Sequence, residues 1–288
     1  AVQITYNGTT LTMTITDSTV NKTFTTSWPI NISQTIGGST AFVGFTGGTG
    51  GDTAIQNIKT WTFTSTAPPT PNINFASGFT SSTGLQFNGS AILSNSQLEL
   101  TNGGEMEAGS VFFTTPININ SFTTNFTFQL TSAVADGFTF AIQNSSGGVT
   151  ALGPTGGGLG YGPDAAGGTG GIPNSVAVKF DLYSNAGEGT DSTGLYTNGA
   201  SPTTPATDMT SSGVVLTSGD TMAVQITYNG TTLTMTITDS TANKTFTTSW
   251  AVNISQTIGG NTAFVGFTAG TGGSTAIQNI KTWTFTSN

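Results

Sequence analysis

The sequence predicts an all-β protein, a two-sheet jelly-roll sandwich, and three observations carry that expectation. Apolar residues alternate with polar ones at a period of two. Thr10–Asp17 (TLTMTITD) puts Leu11, Met13 and Ile15 on one face, and Ser121–Thr131 does the same with Phe122, Phe126, Phe128 and Leu130. Asn7-Gly8 and Asn229-Gly230 sit between alternating runs, the strongest short-range hairpin signal. No segment sustains a 3.6-residue period, and Gly and Pro cut the chain into strands of about five to ten residues. Strands that bury one face each must stack in two sheets.

The elements come twice. Residues 1–66 recur at 223–288, an offset of 222, with seven differing pairs: Val20/Ala242, Pro29/Ala251, Ile30/Val252, Ser39/Asn261, Gly47/Ala269, Asp52/Ser274 and Thr66/Asn288. That period is too long for a solenoid repeat and matches a whole domain. The expected organisation is therefore a C-terminal third of one module (1–66), a Pro-rich linker (67–72) and a complete module (73–288). Tandem modules with a 222-residue period follow from it. A third of a sandwich would expose Leu11, Met13, Ile15, Phe42, Phe45, Trp61 and Phe63, so strands of another copy are expected to cover that face.

Composition excludes several function classes. The 288 residues leave room for one or two domains. Only 6% are charged, with a net charge of −8 and five lysines as the only basic residues, against a usual ~25% charged. Nucleic-acid binding needs a cationic footprint, which these residues cannot assemble. Absence of Cys removes disulfides, and absence of His removes Ser-His-Asp catalysis and His-ligated zinc. No apolar run approaches the ~20 residues of a membrane helix, so no membrane insertion is expected. The uncharged, Thr/Asn/Gly-rich, acidic composition suits an extracellular, prokaryotic surface protein, and the start at Ala1 within a strand pattern reads as the edge of an excerpt. Glycoside hydrolases set two carboxylates ~5 to 9 Å apart across a cleft. Their alternating acidic strand is missing, since Glu105 and Glu107 follow Asn102-Gly103-Gly104, a turn, and no enzyme is expected.

The chemistry concentrates in Ser175–Gly199 (SVAVKFDLYSNAGEGTDSTGLYTNG), where a β-branched strand runs into a loop holding Asp181, Asn185, Glu188 and Asp191. Hard cations such as Ca²⁺ take six to eight oxygens from carboxylates, amides, carbonyls and water. Asp181, Tyr183 and Asn185 at every second position, with a carboxylate beyond, could wrap one. Asp, Asn and Gly are also ordinary turn residues, so a solvated acidic turn is the alternative. Gly157 and Gly158 would let backbone amides approach a ligand, or form a loose loop. Tyr183 could stack on a ligand face or cover the core edge.

Three segments in order resemble the L-type (legume) lectin signature: Ala135–Phe140 (ADGFTF), Gly156–Gly160 (GGGLG) and Val176–Asn185 (VAVKFDLYSN). The resemblance spans residues 73–288 and part of another copy. It implies a concanavalin-like jelly roll and a carbohydrate site at Asp136, Gly157, Gly158, Tyr183 and Asn185, with Asp136 following a cis peptide and binding sugar hydroxyls. It further implies one calcium ion held by Asp181, the Tyr183 carbonyl, Asn185 and Glu188 or Asp191. Two departures stand out. Lys179 replaces the family's Glu, and the metal-binding His has no counterpart, so no transition metal is expected beside the calcium. The departure implies that the Lys179 ammonium stands in for its charge. The expected function is a repeat module of an extracellular surface fibre or adhesin with calcium-dependent carbohydrate binding. The alternative is a purely structural building block of an extracellular filament. Expected partners are glycans and neighbouring copies of the module.

Overall fold

The computed structural model describes residues 1–36, 41–64 and 73–287. The chain divides into two compact units, Ala1–Pro68 and Pro69–Asn288. The linker expected at 67–72 lies outside the described residues.

In the first unit, β1 (Val2–Tyr6), β2 (Thr10–Asp17) and β3 (Lys22–Pro29) form an antiparallel meander, followed by the short α1 (Ile32–Ile36). Gly8 has φ +99°, a conformation glycine adopts freely, and Asn7 Oδ1 accepts the Thr10 amide at 2.8 Å, which closes the β1–β2 turn. Residues 41–64 form no strand. Most of the apolar side chains named above lie open: Ile15 is 41% exposed, Phe45 57%, Trp61 53% and Phe63 60%, while Leu11 and Met13 are half-buried.

The second unit runs β4 (Ile73–Phe75), β5 (Leu85–Gly89), β6 (Ile92–Ser94), β7 (Gln97–Asn102), β8 (Ala108–Phe113), β9 (Ile117–Asn118), β10 (Phe122–Thr131), β11 (Gly137–Gln143), β12 (Ser175–Asp181), β13 (Ser192–Thr197), β14 (Thr207–Asp208), β15 (Thr221–Tyr228), β16 (Thr232–Asp239), β17 (Lys244–Ala251), α2 (Ile254–Ile258), β18 (Thr262–Gly270) and β19 (Ile277–Ser287). These strands form two antiparallel sheets. One has the order β17-β16-β15-β10-β19-β7-β6, the other β14-β13-β12-β11-β18-β8-β5. The period-two pattern thus becomes the all-β sandwich expected of it.

Between the sheets lies an aromatic core. Phe126 meets Phe138, Phe140, Phe180 and Phe267 at centroid separations of 5.0 to 6.4 Å, and Phe267 meets Trp283 at 5.0 Å. Such pairs add to the burial of their large apolar area. The buried Trp283 indole N–H is satisfied by Thr124 Oγ1 at 3.1 Å. On the outer side of the first sheet, hydroxyls pair across strands: Thr234 with Ser249 at 2.8 Å, Thr236 with Thr247 at 3.0 Å and Thr238 with Thr245 at 3.2 Å.

Strands β11 and β12 are buried along their whole length. Their inner face (Phe138, Phe140, Val178, Phe180) joins the aromatic core, while Ala141 and Ala177 pack outward against Tyr161, Ile172 and Tyr196. This double burial explains the near-continuous apolar run of SVAVKFD. It also places Lys179, an outward position, under protein instead of water.

Candidate functional site

The residues singled out in the sequence fall at one end of the β11–β12 pair. Gly137 pairs with Asp181 at the end of the ladder, and the Leu182 amide donates to Asp136 O at 2.8 Å. A side chain on Gly137 (φ +145°) would run into Phe180 O, so only glycine lets the strands approach there. The Ala135–Asp136 peptide is cis, as the resemblance implies.

Asp136 is 3% exposed, and its Oδ2 has no hydrogen-bond partner. Burial pushes its pKa up from 3.8 to about 6; the Asn185 side chain pulls it back, the Asp164 charge pushes it up, and the Gly272 amide lowers it. Beside it lies the 3-10 turn Gly156–Gly158, anchored by the Gly156 amide on Thr271 O at 2.9 Å. Gly158 donates its own amide to Thr155 O at 3.2 Å. A Cβ added to Gly157 would lie 2.6 Å from Asp164 Oδ1 and 2.7 Å from Asn185 Nδ2, so two polar side chains converge over that glycine. Tyr183 is 42% exposed at the rim, with its amide donating to Asp181 Oδ1 at 3.1 Å.

Behind this surface lies a charge cluster. Lys179 is fully buried, and its Nζ donates to Asp181 Oδ2 at 2.7 Å and to Thr203 O at 2.9 Å. Glu188 Oε1 stands 4.0 Å from the same ammonium and has no hydrogen-bond partner, while Ala186 N donates to Glu188 Oε2. Burial pushes the Asp181 pKa up to about 6, and the Lys179 charge pulls it back. Asp191 faces elsewhere: its Oδ1 accepts the Leu216 amide at 2.6 Å, and burial raises its pKa. The structure therefore brings Asp181, Glu188, Tyr183 and Asn185 to one loop and turns Asp191 toward another segment.

Two buried carboxylates face one ammonium, leaving a negative charge and the unpartnered Glu188 Oε1 to be satisfied. A calcium ion suits that donor set, completed by the Asn185 amide, a carbonyl and water. Lys179 already holds Asp181 Oδ2, and no group of three or more His, Cys, Asp or Glu side chains that could hold a metal occurs among the described residues.

Sequence reasoning missed Asp164 and Gly272, which enter the site from separate loops. A groove on the other sheet, along Asn125, Gln225, Thr236 and Thr282, is lined by uncharged residues.

The family model for the legume lectin domain matches residues 1–78 and 72–288. Among solved structures, a Bauhinia forficata lectin in complex with GalNAc aligns with a TM-score of 0.64 at 24% identity, covering 76% of this chain and 98% of that one. Peanut lectin with a 9mer peptide gives 0.62 at 26% identity, covering 77% and 98%. Lectin II from Ulex europaeus gives 0.64 at 19%, covering 77% and 100%. A protein of Acidianus filamentous virus 2, uncharacterized ORF413, is 34% identical over an alignment of 146 residues that covers 44% of this chain and 30% of that protein. The match thus spans less than a third of that relative.

Proposed function

This chain belongs to the legume lectin domain family, and from that premise we propose that it is a repeat module of an extracellular fibre or adhesin that binds carbohydrate with the help of one calcium ion. One observation carries the reading: a buried, unpartnered carboxylate oxygen, Asp136 Oδ2, beside a glycine turn and an exposed tyrosine. A sugar offers paired hydroxyls on one side and an apolar ring face on the other. Asp136 accepts the hydroxyl protons, Asn185 orients that carboxylate, and Tyr183 covers the ring. Of the two glycines expected to donate amides, Gly158 is engaged with Thr155 O, so Gly157 takes the role. Bound calcium would order the loop ahead of the ligand, held by Asp181, Asn185, Glu188 and the Tyr183 carbonyl, which lowers the ordering cost of binding. Nothing here requires catalysis, in keeping with a family whose members bind carbohydrate without being enzymes.

Residues 1–66 read as part of a preceding copy, and repeated weak sites would gain retention through multivalency. No described helix is long and apolar enough to cross a membrane. Glycan-array binding of wild type, Asp136→Ala and Asn185→Ala, with and without chelator, tests the proposal. Retention by wild type alone, weakened by chelation, is expected. If wild type retains no glycan, the structural-filament reading replaces it. If chelation changes nothing, calcium leaves the scheme.

A further inference from the structure

The candidate sugar surface carries a charge that the motifs did not reveal. Asp164 lies in the loop after Tyr161, outside the resembling segments, and its carboxylate is exposed. A Cβ on Gly156 would lie 3.2 Å from Asp164 Oδ1, and one on Gly157 only 2.6 Å from it. On the opposite flank, a Cβ on Gly272 would lie 3.3 Å from Asp136 Oδ2 and 3.6 Å from the Gly156 Cα. The glycine turn is therefore walled by two carboxylates. One is exposed; the other is buried with an unpartnered oxygen.

Within residues 73–287 no ammonium is placed to balance this pair. Lys179 is buried against Asp181 and Thr203, and Lys281 donates to Gln129 and Thr221. Lys244 pairs in register with Asp239 at the β16–β17 end, and Lys22 and Lys59 belong to the other unit. A ligand entering over the glycines meets acceptors and negative charge on both sides. Hydroxyls and protonated amines satisfy such walls, whereas a carboxylate, sulfate or phosphate on the sugar would be desolvated beside like charge.

We propose that Asp164 is the specificity-determining residue of this surface, admitting uncharged or amine-bearing sugars and rejecting anionic ones. The assignment rests on the carbohydrate reading above and adds the ligand class. It concerns a difference of affinities, which a repulsive element sets as effectively as an attractive one.

The experiment compares matched monosaccharides on the full chain: methyl galactoside, galactosamine and galacturonic acid, each by calorimetry. Wild type is expected to bind galacturonic acid at least about tenfold more weakly than the neutral glycoside, a difference of about 1.4 kcal/mol. Asp164→Asn removes one negative charge whatever ion the loop holds. It should shift the uronate-to-neutral affinity ratio toward unity by about that factor and reduce the preference for galactosamine. A second readout needs no variant. Between about 0.01 M and about 1 M salt the screening length falls from roughly 30 Å to roughly 3 Å, so the wild-type ratio should narrow. If wild type binds the neutral sugar but the ratio is unmoved by both Asp164→Asn and salt, this inference falls and the carbohydrate reading stands. If no sugar binds the wild type across a panel of neutral glycosides, both fall together.

Discussion

Residues 41–64 and 263–286 differ at two positions, Gly47/Ala269 and Asp52/Ser274, yet one stretch holds no strand and the other supplies most of β18 and β19. The preceding residues behave alike in both copies. Val2 faces Ile15 as Val224 faces Ile237, and Leu11 faces Trp28 as Leu233 faces Trp250. The difference lies in where the partners come from. Strands β15, β16 and β17 pair in sequence through tight turns, whereas β18 sits between β11 and β8, and β19 between β10 and β7. All four of those neighbours lie within residues 73–222. Trp283 and Phe267 are fully buried in that company, while Trp61 and Phe45, their equivalents, lie more than half exposed. Strand propensity is thus a statement about neighbours as much as about residues.

The largest expected effect is on backbone protection. In the present chain, amides of 41–64 should exchange at near-unfolded rates, while those of 263–286 approach the global stability of about 5 to 15 kcal/mol. Fusing a copy of residues 73–222 ahead of Ala1 should bring the two stretches to the same protection. Hydrogen exchange read by mass spectrometry distinguishes them through the two differing positions. Protection of 41–64 before the fusion, or its absence afterwards, would break the comparison.

A smaller effect comes from paired substitutions. Trp283→Ala should destabilise the module by about 3 to 5 kcal/mol, through lost transfer energy and a residual cavity. The equivalent Trp61→Ala should stay within about 0.5 kcal/mol, as exposed positions do. Denaturant titration measures both, and equal effects would mean that the first unit is better packed than described.

Calcium sharpens the contrast further, because no counterpart of Asp181, Asn185 or Glu188 exists in residues 1–66. At an ion concentration about 100 times Kd, the module at 73–287 should gain about 2.7 kcal/mol by mass action. Chelation should lower its melting temperature and leave exchange in 1–64 unaltered. A chelator that loosened both units equally would contradict this.

The smallest effect concerns acidity, and the site and the fold respond in opposite directions. Asp136 must be ionised to accept two hydroxyl protons, and burial holds its pKa at about 6. Glycan affinity should therefore fall about tenfold per unit once the pH is well below 6. Stability runs the other way. A carboxyl whose folded pKa lies above its ordinary 3.8 contributes stability that is fully present below about 3.8 and lost as the pH rises through about 6. The ligand-free module should melt higher at pH 4 than at pH 7 as far as Asp136 is concerned. Asp136→Asn should flatten that component, and titration calorimetry with thermal melts reads both slopes.

What the sequence made legible follows the same division between local and distant causes. Period-two runs such as TLTMTITD announced strands, and Asn7-Gly8 announced its turn, because both act over a few residues. Asp136 and Asp181 were legible because a strand carries each in a recognisable frame. The choice between Glu188 and Asp191 was not. It depends on the Leu216 amide, 25 residues beyond Asp191. Asp164 and Gly272 were illegible for the same reason, since loops with no period of their own bring them together. Lys179 was readable as a substitution, but its pairing with Thr203 O was not.

The hydroxyl pairs on the outer sheet have a consequence of another kind. Most proteins stay wet by wearing charge, which brine mutes and acid reverses. Here Thr234, Thr236 and Thr238 face Ser249, Thr247 and Thr245 in a ladder with nothing to titrate, and the ion pairs among the described residues, both involving Lys179, are buried. That wall should look the same to water in a salt crust as in a dilute spring, since none of its paired groups carries or gains a charge.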